Sequence, residues 1–183
     1  SCARREGGGA YCWGDGQQGR LGDGTTNERF TAVSVVGLAG PIAQVGAGFD
    51  FRCALWESGG VQCWGSNSHG QLGDGSGSTQ SLSPVDVTGI TDAVAIDLGQ
   101  RTACAVRAGG GVMCWGQNGS GQAGDGTGTE ASTPVAVTGV STAVAVAVGV
   151  VHACALLADE RVVCWGSAER GRLGNGATTG TLN

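Results

Sequence analysis

The chain repeats one unit of about 51 residues, and this repetition limits the folds that it can adopt. Cys-Trp-Gly triplets recur at steps of 51, 51 and 50 residues, with their tryptophans at Trp13, Trp64, Trp115 and Trp165. Two cysteine series keep the same steps: Cys2, Cys53, Cys104 and Cys154, then Cys12, Cys63, Cys114 and Cys164. A period of roughly 20 to 50 residues is typical of solenoids and propellers. The sequence therefore divides into units at approximately 2–52, 53–103, 104–153 and a partial 154–183, about 3.5 repeats in all.

The pattern inside one unit predicts short strands separated by glycine-rich turns. The segment AVAIDL at 93–98 alternates strictly, so we expect Val94, Ile96 and Leu98 to share one face of a strand. The segments TACAVR (102–107) and GVMCWG (111–116) form a hairpin around Gly109–Gly111, and PVAV (134–137) makes a fourth strand. Four short antiparallel strands per unit are typical of a β-propeller blade. Counting four hairpins and three PVxV-to-AVAI segments, 4 × 2 + 3 × 2, predicts 14 strands.

The cysteine spacing fits this hairpin. Cys104 and Cys114 lie symmetrically about position 109, so they face each other across antiparallel strands. The C-x9-C spacing favours disulfides over zinc, which more often uses C-x2-C, although metal binding or redox chemistry remains the alternative. The predicted pairs are Cys2–Cys12, Cys53–Cys63, Cys104–Cys114 and Cys154–Cys164. Such pairs indicate an oxidising compartment: extracellular, cell surface or periplasmic.

Composition narrows the classes of partner. The net charge is −5, so there is no surplus of positive charge for nucleic acid, and we predict no nucleic-acid binding. No run of about 18 apolar residues occurs, which predicts no membrane insertion. All ten cations are arginine, and this usage favours GC-rich bacterial coding.

The motif CALxxxGGVxCWGxNxxGQLGDG from Cys53 to Gly75, followed by PVxVxGI and AVAIxxG, resembles the regulator of chromosome condensation repeat. Its paired cysteines resemble the version found in secreted bacterial proteins. The resemblance implies a β-propeller, usually of seven blades, so we expect this chain to form part of a larger or assembled propeller. The four tryptophans recur at one phase and are predicted to pack between blades rather than to stack on a sugar or base. The repeated Gly-Asp-Gly element is interpreted as a turn rather than a calcium site.

Two considerations direct the functional prediction toward binding. His69 and His152 lie at different phases of different units, and no phosphate-loop or dinucleotide fingerprint is present, so we predict no catalytic residues, metal or cofactor. The connection after the repeated glycine varies between units, although it is equally open to interpretation as a loop that tolerates change. It supplies the candidate binding residues Phe49, Asp50, Phe51, Gln100, Arg101, Thr102, Val150, Val151 and His152, of which Phe49, Phe51 and Arg101 are predicted to be exposed.

The sequence thus predicts an all-β propeller segment of four-stranded antiparallel blades. We expect a non-enzymatic extracellular module, either protein-binding or structural, built on a disulfide-stapled propeller, whose partner is another protein or copies of itself. The alternative is an inhibitor or receptor for a secreted enzyme, because bacterial propellers of similar repeats inhibit secreted β-lactamases. An enzyme with its site on the variable loops ranks third.

Overall fold

The computed structural model describes residues 1–5, 8–38, 40–178 and 181–182, and its strands form four antiparallel sheets, numbered here as blades 1 to 4. Blade 1 contains β1 (Cys2–Arg4), β2 (Ala10–Gly14) and β3 (Arg29–Ser34). Blade 2 contains β4 (Ile42–Ala47), β5 (Phe51–Trp56), β6 (Val61–Ser66) and β7 (Gln80–Asp86). Blade 3 contains β8 (Ala93–Leu98), β9 (Thr102–Arg107), β10 (Val112–Gly116) and β11 (Ala131–Ala136). Blade 4 contains β12 (Ala143–Val148), β13 (His152–Leu157), β14 (Val162–Ser167) and β15 (Thr181–Leu182).

The all-β blade architecture is confirmed, but the strand count differs from the prediction. The described residues contain 15 strands, because β15 pairs with β14 at Gly166 and Ser167 after the last hairpin. Each full sheet also begins one strand before the cysteine-based unit, since β4, β8 and β12 pair with the following hairpin. Single turns of 3-10 helix at Gln17–Gly19 and Glu169–Gly171 are the helical elements within the described residues. Neither is long enough to cross a membrane.

A β-bulge changes the predicted faces of β8. Ala93 pairs with Arg107 and Ala95 with Val106, so one extra residue, Val94, interrupts the ladder. The prediction that Val94 shares a face with Ile96 and Leu98 is therefore wrong: Val94 is exposed, while Ala93, Ile96 and Leu98 are buried. The same register shift occurs at the start of β4 and of β12.

The first strands of successive blades lie side by side, and polar side chains join their edges. The Gln44 amide donates to the Ile96 carbonyl at 2.8 Å and accepts from the Ile96 N–H at 3.1 Å, as a neighbouring peptide would. The Asp97 carboxylate accepts from the Val148 N–H at 2.6 Å. These contacts satisfy backbone groups that an edge strand leaves unpaired. They also tie blade 2 to blade 3 and blade 3 to blade 4.

Where a neighbouring blade is present, a hairpin presents its tryptophan to the preceding blade and its disulfide to the following one. Cys104 and Cys114 are directly opposed and form a disulfide, and the other three predicted pairs do the same, with Cα–Cα distances of 4.0 to 4.1 Å. Because neighbouring residues of a strand point to opposite faces, Trp115 enters the core between blades 2 and 3. The disulfide beside it enters the core between blades 3 and 4 together with Trp165.

A glycine of the preceding blade receives each of these indole rings. A Cβ built on Gly73 would lie 2.8 Å from Cδ1 of Trp115, and Gly22 and Gly124 meet Trp64 and Trp165 at the same separation. These glycines belong to the repeated Gly-Asp-Gly element, and their φ angles of 67° to 69° are strained for other residues. The element is therefore a turn, as predicted, and its first glycine is also the surface on which the tryptophan of the next blade packs.

Trp13 does not follow the prediction for the tryptophans. It is 37% exposed, whereas Trp64, Trp115 and Trp165 are at most 1% exposed. The physical reason is that Trp13 belongs to blade 1, and no described residues form a blade on the side that its indole faces. The three interblade cores of the described residues join blades 1–2, 2–3 and 3–4, and none joins blade 4 to blade 1.

Two glycine substitutions distinguish the two reasons why glycine occupies the position under the indole ring, namely the positive φ angle and the close approach of the ring. Gly73 and Gly174 share a φ of 67°, but a Cβ on Gly174 would meet nothing within 4 Å. We expect Gly174→Ala to lower the free energy of unfolding by about 1–2 kcal/mol through backbone strain alone. Gly73→Ala should cost roughly 1–3 kcal/mol more, because its methyl group overlaps the Trp115 indole. Denaturant unfolding of the two variants measures the difference, and equal losses would show that the indole contact does not require glycine.

Candidate functional site: the loop face

The β4–β5, β8–β9 and β12–β13 connections emerge on the same side of the blades as the long connections that follow β6, β10 and β14. The Ser66 N–H donates to the Asp50 carbonyl, the Gln117 N–H to the Arg101 carbonyl and the Ser167 N–H to the Val151 carbonyl, each at 2.9 Å. These bonds place the two sets of connections side by side. We call this side, formed by residues 48–51, 66–79, 99–101, 117–130, 149–151 and 167–178, the loop face.

The nine candidate binding residues divide into exposed and buried sets. Phe49 and Val150 are exposed at 64% and 54%, and Gln100, Arg101, Val151 and His152 are partly exposed. Asp50, Phe51 and Thr102 are buried, so the prediction of an exposed Phe51 is wrong. The Phe51 ring lies against Gly48, the Asp50 carboxylate accepts from the Gln71 side chain at 3.3 Å, and the Thr102 hydroxyl donates to the Gln117 carbonyl at 2.8 Å.

Phe49 is held outward by a buried arginine that sequence reasoning did not single out. Arg52 lies where blades 3 and 4 have Ala103 and Ala153, and its Nη1 donates to the carbonyls of Gly48 and Phe51 at 2.8 and 2.7 Å. Burial, and then the charge of Arg20, lower the pKa of Arg52, although the side chain remains a cation. The two bonds fix both ends of the short turn that carries Phe49.

An apolar depression of roughly 390 Å³ opens where the first strands of the blades meet the loop face. Phe49, Gln100 and Val150 form its rim, and Leu98 and Val148 line it. The glycines at its edge are required by close approach, since a Cβ on Gly48 would lie 2.8 Å from the Gly99 carbonyl oxygen. An apolar side chain of a partner is the group that such a surface accommodates.

Beside this depression, the loops of blades 2 and 3 form a cluster of charged and polar groups. Nη1 of Arg101 lies 3.0 Å from Nε2 of His69, and Nε of Arg101 lies 4.0 Å from the Asp50 carboxylate. Since arginine only donates, Nε2 of His69 accepts, and Nδ1 carries the proton that His69 shares with Glu130. The cluster thus contains the imidazole of His69, two carboxylates and one guanidinium. Its half-exposed Glu130 can accept from a donor or cation of a partner.

Local sequence reasoning missed this cluster because its members are far apart in the chain. His69 is separated from Arg101 by 32 residues and from Glu130 by 61. The usable signal is the topology of the array, which places the long loop of one blade beside the short loop of the next. Within the described residues, no group of three or more His, Cys, Asp or Glu side chains has the geometry of a metal site.

The long loops take two forms. In blade 3, the buried Asn118 amide donates to Asp125 and its carbonyl accepts from the Ala123 N–H at 2.8 Å. Burial alone would raise the pKa of Asp125, but hydrogen bonds from Thr127 and Asn118 outweigh burial and lower it. Blade 2 repeats this arrangement through Asn67. Blades 1 and 4 have Gly16 and Ala168 at the matching position, and their loops contain the 3-10 turns instead.

Comparison with models of known protein families identifies the repeat that forms these blades. One family model described as the Regulator of chromosome condensation (RCC1) repeat matches residues 7–55 and 58–106, which is more than half of the chain. A second model of the same description matches residues 42–71, 93–122 and 143–172. The chain belongs to the RCC1 repeat family. The resemblance expected from the motifs is thereby confirmed.

Curated relatives of this RCC1 array are much longer proteins. The human E3 ubiquitin-protein ligase HERC2 is 34% identical over 122 residues, which are 65% of this chain and 2% of that protein. The mouse secretion-regulating guanine nucleotide exchange factor is 38% identical over 115 residues, 61% of this chain and 24% of that protein. The chain therefore spans a small part of the curated relatives that it matches.

Solved RCC1 structures share the fold of this chain. Human WBSCR16 superposes with a TM-score of 0.84 at 23% identity, over 98% of this chain and 50% of that one. Prp20p from Saccharomyces cerevisiae superposes with a TM-score of 0.83 at 21% identity, over 98% of this chain and 46% of that one. These matches confirm the β-propeller fold, and this RCC1 array corresponds to about half of each solved chain.

We expect His152 to make the RCC1 array sensitive to acid. Its ring lies against Gly149 as the Phe51 ring lies against Gly48, and burial, followed by the charge of Arg172, lowers the pKa of His152 below 6.5. The unfolded chain therefore binds the proton first, so this contribution to stability is complete above about pH 6.5 and is lost as the pH falls through the folded pKa.

The variant His152→Phe tests this pH dependence, because blade 2 already carries phenylalanine at the matching position. We expect the melting temperature of the wild type to fall more steeply between about pH 7 and pH 5 than that of His152→Phe. Thermal unfolding across this range measures both slopes. Identical slopes would contradict the assigned role of His152.

Proposed function

We propose that this RCC1 array is a non-enzymatic extracellular module that binds a protein partner through its loop face. The observation that carries the proposal is the exposed pair Phe49 and Val150 at the rim of an apolar depression. Large apolar side chains held outward on a rigid framework are typical anchors of protein interfaces. The strands and the glycines under the tryptophans are repeated from blade to blade, but the residues at this rim differ. They are Phe49, Gln100 and Val150 in blades 2, 3 and 4.

The partner is expected to combine an apolar anchor with a nearby donor or cation. The depression offers Leu98 and Val148 to an apolar side chain, while Glu130 offers a half-exposed carboxylate. Arg101 follows Gln100 of the rim, and its Nη1 donates to Nε2 of His69 at 3.0 Å. A charged group whose orientation is already fixed loses less entropy when a partner binds.

The four disulfides support an extracellular location. Each joins two strands of a hairpin, and the described residues contain no free cysteine. Stable structural disulfides form in oxidising compartments, so the proposal places the chain outside the cell, at the cell surface or in the periplasm of a bacterium.

The surroundings of the two histidines support binding rather than catalysis. His69 contacts Glu130 through Nδ1 and accepts from Arg101 at Nε2, and His152 packs against Gly149 in another blade. Neither contacts a serine or another nucleophile in the hydrogen bonds of the described residues. The alternative of an inhibitor or receptor for a secreted enzyme uses the same loop face and differs in the identity of the partner.

Solved propellers of this fold also appear in protein complexes. One matching structure is described as Kap60 bound to yeast RCC1 (Prp20), and the Prp20p structure is described with its binding to Gsp1p and histones. At 21% identity these proteins are similar in fold alone, so they support the capacity of the scaffold to bind proteins and do not identify a partner.

Capture from the culture medium and cell-surface fraction of the source organism tests the proposal. We expect immobilised wild-type chain to retain a defined protein, and Phe49→Ala to weaken its binding by about tenfold or more, as loss of an interface anchor does. Val94→Ala is the matched control, because Val94 is an exposed apolar residue on β8 outside the loop face. Titration calorimetry with the captured protein measures the affinities. Equal affinities for wild type, Phe49→Ala and Arg101→Ala would rule out the loop face as the binding surface.

The oxidised state is tested separately. We expect native chain isolated from an oxidising compartment to show no titratable thiol, and removal of one bridge in the double variant Cys104→Ser, Cys114→Ser to cost about 3 kcal/mol of stability by the chain-entropy argument. Thiol titration and denaturant unfolding measure the two effects. Eight reactive thiols in the native protein would contradict the extracellular assignment.

A further inference from the structure

One contact between blades 2 and 3 depends on the protonation state of a histidine. Nη1 of Arg101 in blade 3 lies 3.0 Å from Nε2 of His69 in blade 2, and Nδ1 of His69 contacts Glu130 of blade 3. Both blades have a described neighbour on each side. Between blades 3 and 4 the matching residues are Ser120 and Val151, and a valine side chain has no group that could make this contact. The contact is therefore a local addition to the loop face and not part of the repeat.

The backbone of His69 is tied to the core between these two blades. The side chain of Gln71, which is fully buried, accepts from the His69 N–H at 2.8 Å and donates to the Asp50 carboxylate at 3.3 Å. The Gln71 carbonyl accepts from Nε1 of Trp115 at 3.0 Å. Because Gln71 joins these groups to the Trp115 contact, the loop that carries His69 keeps its position when the imidazole changes its partners.

The Arg101 side chain is held less firmly. Its bond to His69 is the one hydrogen bond that this guanidinium makes among the described residues. Its Nε atom is buried without a hydrogen-bond partner in the described part of the chain, and it lies 4.0 Å from the Asp50 carboxylate. Arg101 also follows Gln100 of the rim, whose carbonyl accepts from the Phe49 N–H at 3.3 Å. A change at Arg101 therefore acts on the connection that forms part of the rim of the apolar depression.

The two protonation states of His69 have opposite effects on Arg101. A neutral imidazole with its proton on Nδ1 presents a lone pair on Nε2, which accepts from Arg101. A protonated imidazole donates from both nitrogens, so its Nε2–H and its positive charge both oppose the guanidinium. Of the charged groups in this cluster, Arg101 opposes the added proton, whereas Glu130 and Asp50 favour it. A histidine gains this proton in the mildly acidic range.

We propose that His69 is a proton-operated switch of the loop face, whose protonation releases Arg101 and pairs Glu130 with a full positive charge. The released guanidinium moves toward the Asp50 carboxylate, to which its Nε is already the closer group at 4.0 Å. Glu130 is then less available to a cation or donor of a partner. The switch is a property of the free chain, while its effect on binding rests on the proposed function: a partner that binds the loop face at neutral pH is bound more weakly in acid.

NMR titration of the free chain tests the switch itself. The chain has two histidines, so the imidazole nitrogen signals are assigned with His69→Gln and His152→Phe, and the Arg101 guanidinium signal with Arg101→Lys. We expect neutral His69 to carry its proton on Nδ1, and the His69 and Arg101 signals to shift together, with one midpoint, between about pH 7.5 and about pH 5.5. In His69→Gln, whose amide oxygen accepts from Arg101 without titrating, the Arg101 signal should stay constant over this range.

Binding at the two pH values tests the consequence for the partner. Titration calorimetry with the captured protein should give a wild-type affinity roughly threefold to fivefold weaker at about pH 5.5 than at about pH 7.5, which is the effect of losing one exposed ion pair. The ratio of the two affinities should be close to one in His69→Gln. It should persist in His152→Phe, which removes the other histidine.

Three results of the NMR titration would overturn the switch. One is an Arg101 signal that stays constant while His69 gains its proton, the second is a shift of equal size in His69→Gln, and the third is a neutral His69 with its proton on Nε2. An affinity ratio that is the same in wild type and His69→Gln would overturn the control of binding. Failure to capture any protein would contradict the proposed function alone, because the titration of the free chain still decides the switch.

Discussion

The fold depends on the contact between a tryptophan of one blade and a glycine of the blade before it. A single small sheet cannot bury both of its faces, so repeats of this kind gain their cores from their neighbours. The Cys-Trp dipeptide serves the cores on both sides of a blade from adjacent residues. In blade 3, Trp115 enters the core shared with blade 2, and Cys114 with its disulfide enters the core shared with blade 4. The near-identical hairpins of the sequence therefore each supply side chains to the cores on both sides of a blade. The disulfide holds together the two strands that carry it.

A framework fixed in this way leaves the loop face free to vary. The short connections are held at their glycines by close approach near the first strands, and in blade 2 also by the buried Arg52. Phe49, Gln100 and Val150 can therefore differ without cost to the strands behind them. The charged cluster joins the loops of two blades, because His69 comes from blade 2 while Arg101 and Glu130 come from blade 3. A partner that binds there contacts two blades whose relative position is already set by Trp115.

Much of the fold was predictable because repetition averages out the ambiguity of a single segment. The predicted strands at 93–98 and 102–107 have the bounds of β8 and β9. The errors arose where tertiary contacts override local pattern. Val94 left its expected face because a bulge adds one residue to the ladder, which alternation alone does not reveal. Phe51 and Phe49 are close in sequence, yet Phe51 packs on Gly48 and Phe49 points outward, a difference decided by space at the neighbouring backbone.

The same contact makes the four blades unequal. Blades 2 and 3 bury material on both sides, while blades 1 and 4 each bury one side within the described residues. In a quasi-one-dimensional array, stability is roughly a sum of repeat and interface contributions. They also carry the exposed parts of the contact, Trp13 with Phe30 on one side and Leu156 with Val162 on the other. The two surfaces are complementary and not identical. Each of these exposed groups belongs to a side of the repeat that packs against a neighbouring blade wherever the described residues supply one.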